Sequence, residues 1–308
     1  MGECQQPRNG DDRARRLVES GARVDKGVDA VPNTVCVKRA AMATMFSVTI
    51  ASEHPRYARQ AAAESLQLLD QLDALLSCFA TNSDVARIGR CTKGRSIPVD
   101  AHTFDCLRHA LRIEKDTGGA FNVAFRHPSH RPARELIRLV PSALEVRVAE
   151  HAVALDLGGI GKGYALDRMA AVLFDWELPQ FLLRASDSTV LCGAPPPGQT
   201  GWKIQFGPTA GRHQLLLRRA AFSGSGTAVK GDHIRDPRSG GPAAGSAMTW
   251  AGAPTAAEAD AFSTALMAMD SSAAQAFCHR RDDCLAFVLG REAKQLCALR
   301  APENDRYR

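Results

Sequence analysis

Apolar and polar positions change period several times along the chain, and each change marks an element. From Thr34 to Ile50, apolar residues alternate with polar ones (Val35, Val37, then Phe46, Val48, Ile50), the period of two that turns one face of a strand toward a core. From about Pro55 to Ser77 the period becomes helical, with Leu66, Leu69, Leu72 and Leu76 on one face. A second helix is predicted at about 101–116, where Phe104, Leu107 and Leu111 form the stripe and Thr117-Gly118-Gly119 supplies the glycine stop. Further on, Val153 to Leu157 reads as strand and Gly158 to Gly163 as turn. A helix then runs to about Phe174, with Leu166, Met169 and Leu173 spaced for burial. Strands at about 181–192, 202–206 and 214–222, another near 247–252 and a helix at 255–269 complete the pattern. Helices and strands are mixed without a regular βαβ repeat, so the expected class is α+β, a mixed α/β content.

Two stretches lack such a period. Residues 1–34 are polar and interrupted by Pro7, Gly10, Gly21, Gly27 and Pro32, and are expected to be a flexible lead-in. Residues 126–142 are basic and punctuated by proline, and read as a surface excursion whose charges form a solvated face.

Composition narrows the class. A chain of 308 residues, 45% hydrophobic, can bury a sizeable core, yet no stretch approaches the roughly 20 apolar residues of a membrane span. The net charge of +6 is spread along the chain, and no basic run is interleaved with aromatics, so no nucleic-acid partner is expected. The nine cysteines include no CxxC pair, which argues against a zinc knuckle or a disulfide framework. Cys36, Cys78, Cys106, Cys278 and Cys297 have apolar neighbours and are expected as reduced core thiols. The N-terminus carries charge where a secretory signal has an apolar region, so the expected location is cytoplasmic.

Three clusters carry candidate chemistry. In Leu155-Asp-Leu-Gly-Gly-Ile-Gly-Lys-Gly-Tyr164 the glycines leave backbone amides uncovered at a helix start, with Lys162 among them and Asp156 beside them. That suits an anionic phosphate, and it equally suits plain tight packing. In Glu258-Ala-Asp-Ala-Phe-Ser-Thr-Ala-Leu-Met-Ala-Met269, helical spacing puts Asp260 and Thr264 on one face, and Phe262, Leu266 and Met269 on the other. A carboxylate and a hydroxyl are hard oxygen ligands of the kind that hold Mg2+ beside a phosphate; alternatively Asp260 caps its helix and Thr264 bonds back to it. The third cluster is Ser223-Gly-Ser-Gly226 with His233 and the turn Asp236-Pro-Arg-Ser-Gly240. No GxSxG elbow or HExxH occurs.

In this order the clusters resemble the ApbE-type flavin transferases, from about Met42 to about Asp270. Met42-Ala-Thr-Met-Phe46 is similar to the family's Met-Gly-Thr opening, Leu76-Ser-Cys-Phe79 through Ser83-Asp84 to its Ser-x-Tyr and Ser-Glu or Ser-Asp, and Gly119-Ala-Phe-Asn122 to Gly-Ala-Phe-Asp. Asp156-Leu-Gly-Gly-Ile-Gly-Lys-Gly-Tyr164 with Asp167 resembles Asp-Leu-Gly-Gly-Ile-Ala-Lys-Gly-Tyr and is the most specific match. Ser223-Gly224, His233-Ile-Arg-Asp-Pro-Arg-Ser-Gly240 and Ala259-Asp-Ala-Phe-Ser-Thr264 complete the order.

The resemblance implies an ApbE-like two-lobed fold with the flavin cleft between lobes at 35–150 and 151–308. It implies an enzyme that cleaves FAD with Mg2+, attaches FMN to a Thr or Ser of an acceptor protein and releases AMP. Carried over by position, Asp260, Thr264 and the Gly159 carbonyl would ligate Mg2+, and Phe79 would lie against the isoalloxazine. Met42, Ala120, Phe121, Asn122, Asp156, Lys162 and Ile234 would contact FAD, and His233, with Asp260, would serve the transfer itself. The chain departs from the family pattern at Phe79 (usually Tyr), Asn122 (Asp), Gly89 (Asn), Phe222 (Thr) and Ser186-Asp187-Ser188 (Gly-Gly-Asp). These departures leave two alternatives, a non-catalytic FAD-binding protein of the same fold and an FAD pyrophosphatase that releases FMN and AMP.

Overall fold

The computed structural model describes residues 33–208, 213–226, 236–241, 243, 246–290, 296–300 and 306–307. In chain order the elements are β1 (Thr34–Ala41), β2 (Thr44–Ala51), α1 (Pro55–Leu76), α2 (Asp84–Arg90), β3 (Ser96–Pro98), α3 (Ala101–Asp116), α4 (Ala133–Leu136), β4 (Ile137–Val140) and β5 (Glu145–Val148). They continue with α5 (Gly161–Asp175), β6 (Phe181–Ala185), β7 (Thr189–Cys192), β8 (Trp202–Phe206), β9 (His213–Leu217), β10 (Ala220–Gly226), β11 (Ser246–Ala253), α6 (Ala256–Ala268), α7 (Ser271–His279), β12 (Leu285–Gly290) and β13 (Cys297–Arg300).

Eight strands form one antiparallel sheet in the order β1-β2-β6-β7-β10-β11-β12-β13, so strands from both sides of residue 150 share it. Alternation along its central strands splits the interior in two. Phe181, Leu183, Leu191, Ala221 and Ala251 face a core shared with the long helices, whereas Leu182, Val190, Phe222 and Trp250 face a smaller core under the β8–β9 hairpin. On the helical face, α1 packs on α5, α5 on α6, and α6 on β10 and β11. The helix called from the Leu66, Leu69, Leu72, Leu76 stripe is thus the outer layer over α5, and α6 is buried almost all round.

Three readings are corrected. Val153 to Leu157 forms no strand: Asp156 N–H donates to the Val123 carbonyl (2.7 Å), but no ladder neighbour exists among the described residues. The basic stretch 126–142 is no mere surface excursion, because Ala133, Leu136 and Ile137 are buried and it contributes α4 and β4. Two of its arginines reach carboxylates (Arg131 reaches Glu135 and the half-buried Glu150, Arg134 the buried Glu114), so these charges are paired while the apolar residues turn inward. Cys36 and Cys297 are exposed, and the buried thiols are Cys106, Cys192, Cys278 and Cys284. A three-stranded sheet, β3-β5-β4, and the segment from α7 onward had no counterpart in the sequence pattern.

Candidate functional site

The glycine turn and the start of α5 meet the first turns of α6 at unusually short range. A Cβ on Gly163 would stand 2.1 Å from the Ala256 carbonyl oxygen, so only glycine lets the two helices approach this closely. That approach puts Lys162 Nζ 3.2 Å from each oxygen of Asp260 and 3.1 Å from the Gly158 carbonyl. Gly163 N–H also donates to Asp260 Oδ2 (3.2 Å), and the hydroxyls of Thr189 and Ser223 donate to Oδ1 (3.4 and 3.3 Å). Asp260 is 2% exposed, so these donors are what makes a charged carboxylate tolerable there.

Thr264 lies one turn further along α6, and its hydroxyl donates to the Asp260 carbonyl at 3.1 Å. Gly159 faces it: a Cβ there would lie 3.1 Å from Thr264 Oγ1 and 3.3 Å from a Phe121 ring carbon. Gly159, Lys162, Asp260, Thr264 and Phe121 are therefore one cluster, with buried Ala120 and Asn122 on either side of Phe121. Asn122 is engaged within its own loop, its Nδ2 donating to the Arg131 carbonyl (3.1 Å) and its Oδ1 accepting from Ala124 N–H (2.8 Å).

The amides of the glycine turn are less available than the sequence implied. Gly158 N–H is taken by Asp156 Oδ1, those of Ile160 and Gly161 by the Leu157 carbonyl, and that of Gly163 by Asp260. Four of the turn's amides are thus already engaged, and the full positive charge beside Asp260 is that of Lys162. Asp156 Oδ2 pairs with Arg126 Nε at 2.8 Å, and Arg126 in turn lines an open cleft with Cys78, Phe79, Gly89 and Leu155. Burial, with Asp156 nearby, pushes the Cys78 thiol up and keeps it protonated. Phe79 stands at the cleft with 83% of its surface exposed. Met42 sits at the turn of the β1–β2 hairpin, where it and Ala43 both have left-handed φ, and packs partly against the main core. Phe79 N–H is bonded to Ser77 within its own turn, and His233 and Ile234 fall outside the described residues.

Of the residues around Asp260, Thr189 escaped the sequence reading, whereas Ser223, Ser225 and Arg238 belong to its third cluster. Ser225 bonds Ser263 (2.9 Å) and Thr264 (3.4 Å), and Thr189 bonds Ser223 (2.9 Å), so a row of hydroxyls lines the floor beneath Asp260. Ser223 and Ser225 are two apart on β10, a spacing that puts both toward α6 and could have been read as a polar face. Arg238 pairs with Asp236 and donates to the Ala268 carbonyl at the end of α6 (2.6 Å), while its stem passes Gly119. Tyr164 turns away from the cluster to α3, donating to Asp105 Oδ2 at 3.2 Å. Among the described residues no group of three or more His, Cys, Asp or Glu is placed to hold a metal ion, so a cation here would rest on one carboxylate with hydroxyl and carbonyl oxygens.

The model of the ApbE family matches residues 42–289. This chain belongs to the ApbE family. Among its relatives is the FAD:protein FMN transferase of Salmonella typhimurium, 23% identical over 324 aligned positions that cover 90% of this chain and 92% of that protein. The FAD:protein FMN transferase of Klebsiella pneumoniae is also 23% identical, over 76% of this chain and 78% of its own length. The fold is that of solved ApbE proteins. The flavin transferase ApbE of Vibrio cholerae superposes with a TM-score of 0.74 at 18% identity (86% of this chain, 96% of that one), and the ApbE protein of Thermotoga maritima with 0.75 at 21% (86% and 96%). Among the described residues no helix is long and apolar enough to cross a membrane.

Proposed function

We propose that this ApbE-family chain is a Mg2+-dependent FAD:protein FMN transferase that attaches FMN to a Thr or Ser hydroxyl of an acceptor protein and releases AMP. Its relatives' names support the activity. The observation that carries the reading to these residues is the meeting of Lys162 and Asp260 at 3.2 Å beside Gly159 and Thr264. In the reaction the acceptor's hydroxyl oxygen bonds to the FMN phosphorus, the anhydride bond to the AMP phosphate breaks, AMP leaves with the bridging oxygen, and the hydroxyl proton passes to a base. The resemblance offers His233 beside the transferring phosphoryl, as acid, base or positioning group.

Phosphoryl transfer of this kind needs alignment and charge neutralisation more than a covalent nucleophile. Asp260, Thr264 and the Gly159 carbonyl are hard oxygen donors and fit Mg2+, which when bound neutralises charge at the phosphates. Lys162 holds a positive charge at the same place, fixed by Asp260 and the Gly158 carbonyl. Asp156 acts with Arg126, since both carboxylate oxygens already have donors. Phe79 offers an unoccupied ring face to the isoalloxazine, and Ala120, Phe121 and Asn122 shape the wall, Asn122 through its loop rather than a free amide. A cytoplasmic setting for the enzyme is part of this reading, and the free thiols among the described residues are compatible with it.

The test incubates the protein with FAD, Mg2+ and a Thr-containing acceptor peptide, followed by chromatography. AMP with an FMN-labelled peptide is expected. Unchanged FAD overturns the reading in favour of a binding protein, and AMP with free FMN overturns transfer in favour of hydrolysis.

A further inference from the structure

The cluster exists only while two helices hold one relative position, since Lys162 and Gly163 come from α5 and Asp260 and Thr264 from α6. The first-turn amides of a helix have no partner within it. In α6 one is met locally: Thr255 Oγ1 accepts from Glu258 N–H as an N-cap and donates to Glu258 Oε2. The amides of Ala256 and Ala257 are met from α5 instead, by Asp167 Oδ1 at 2.8 Å and Oδ2 at 2.9 Å. Ala256 is thus gripped twice by α5, its carbonyl against Gly163 and its N–H by Asp167.

We propose that Asp167 is a positioning residue: by capping α6 from α5 it fixes the register that brings Asp260 and Thr264 to Lys162 and Gly159. The catalytic consequence rests on the transferase reading; the register itself does not.

Burial pushes the Asp167 carboxyl up to about 6, against the pull of the Ala256 and Ala257 amides and of Arg168 beside it on α5. Glu258 on α6 pushes the same way as burial and is itself paired with Arg112 of α3 and with Arg281. Once protonated, Asp167 has only one good acceptor oxygen for two amides, so acid loosens the register. Global stability moves oppositely. A carboxyl whose folded pKa exceeds its unfolded value, about 3.9, contributes most below that value, and the contribution is lost as pH rises through about 6.

The experiment compares wild type, Asp167→Asn and Thr255→Ala by amide hydrogen exchange, by NMR titration of the Ala256 and Ala257 amides, and by the pH profile of AMP release. Expected are amide shifts that titrate near pH 6 in wild type, exchange at these amides about fivefold faster in Asp167→Asn, and a kcat about tenfold lower with little change in KM for FAD. The fall in wild-type rate below pH 6 should vanish in Asp167→Asn. Thr255→Ala, which removes a local cap of similar strength, should keep kcat within about twofold. Amides that do not titrate in wild type, which needs no variant to fold, would overturn the proposal, as would equal kcat losses in the two variants. A wild type that releases no AMP would sink the transferase reading alone, because the exchange and titration data still decide what Asp167 holds.

Discussion

The two ends of the candidate site are built on opposite terms. At the α5–α6 contact every group is crowded: Asp260 has an ammonium, an amide and two hydroxyls around it, and Gly163 has no space for a methyl group. At the Phe79 end the cleft is open, and the ring that lines it is exposed. Phosphoryl transfer from an anhydride to a hydroxyl tolerates little misplacement, whereas a flat ring can be held by stacking at several positions. On the proposed function, the crowded end would carry rate and fold together, and the open end affinity without stability.

Asp260→Ala attacks the crowded end most directly. It leaves Lys162 beside hydroxyls and a carbonyl with no carboxylate, and removes the one charged oxygen donor of the proposed cation site. AMP release should fall about a thousandfold or more, with a stability loss of roughly 3 kcal/mol in chemical denaturation. Retained AMP release would show that Asp260 is only a structural anchor.

Gly163→Ala tests the same end without touching any charge. The added carbon would lie 2.1 Å from backbone, so α5 and α6 must separate, at a cost of about 1–3 kcal/mol. Lys162 then loses its reach to Asp260, and kcat should drop roughly a hundredfold while FAD binding, followed by fluorescence, weakens less. A fully active Gly163→Ala would mean that the close approach is incidental.

Phe79→Ala is the converse. Removing an exposed ring should leave stability within about 0.5 kcal/mol, yet raise KM for FAD about tenfold with kcat nearly unchanged. A loss confined to kcat would contradict the division between the two ends.

How much of this could be read from the chain depends on which interactions are local. The helices of 55–77 and 255–269 follow from apolar spacing, and the Asp156 to Tyr164 turn from its glycines. The partners that complete the site come from elsewhere: Thr189 from a hairpin, Asp167 from the middle of a helix, Arg126 from the basic stretch. No local pattern marks Asp167 as a cap, because the amides it serves begin at Ala256. For the same reason Val153 to Leu157 reads as a strand, since its residues suit a ladder that no neighbour supplies. Arginines disguise 126–142 because their carboxylate partners lie in α3 and in the residues after β5.

The smallest expected effect lies where the chain departs from the family pattern. Ser186, standing where the family has glycine, is held at φ 56°, with its N–H donating to the Met45 carbonyl at 2.7 Å. A left-handed conformation costs a side-chain-bearing residue roughly 1–2 kcal/mol, and the freer unfolded glycine gives back about 0.5–1 of that. Ser186→Gly should therefore raise the melting temperature by only about 1–2 °C. Its value is in the second readout. Unchanged FAD affinity would mean that the serine is carried at the cost of mild strain and nothing more. Tighter binding would mean that the backbone of the β6–β7 turn approaches the ligand, and that the open end of the site reaches further than Phe79.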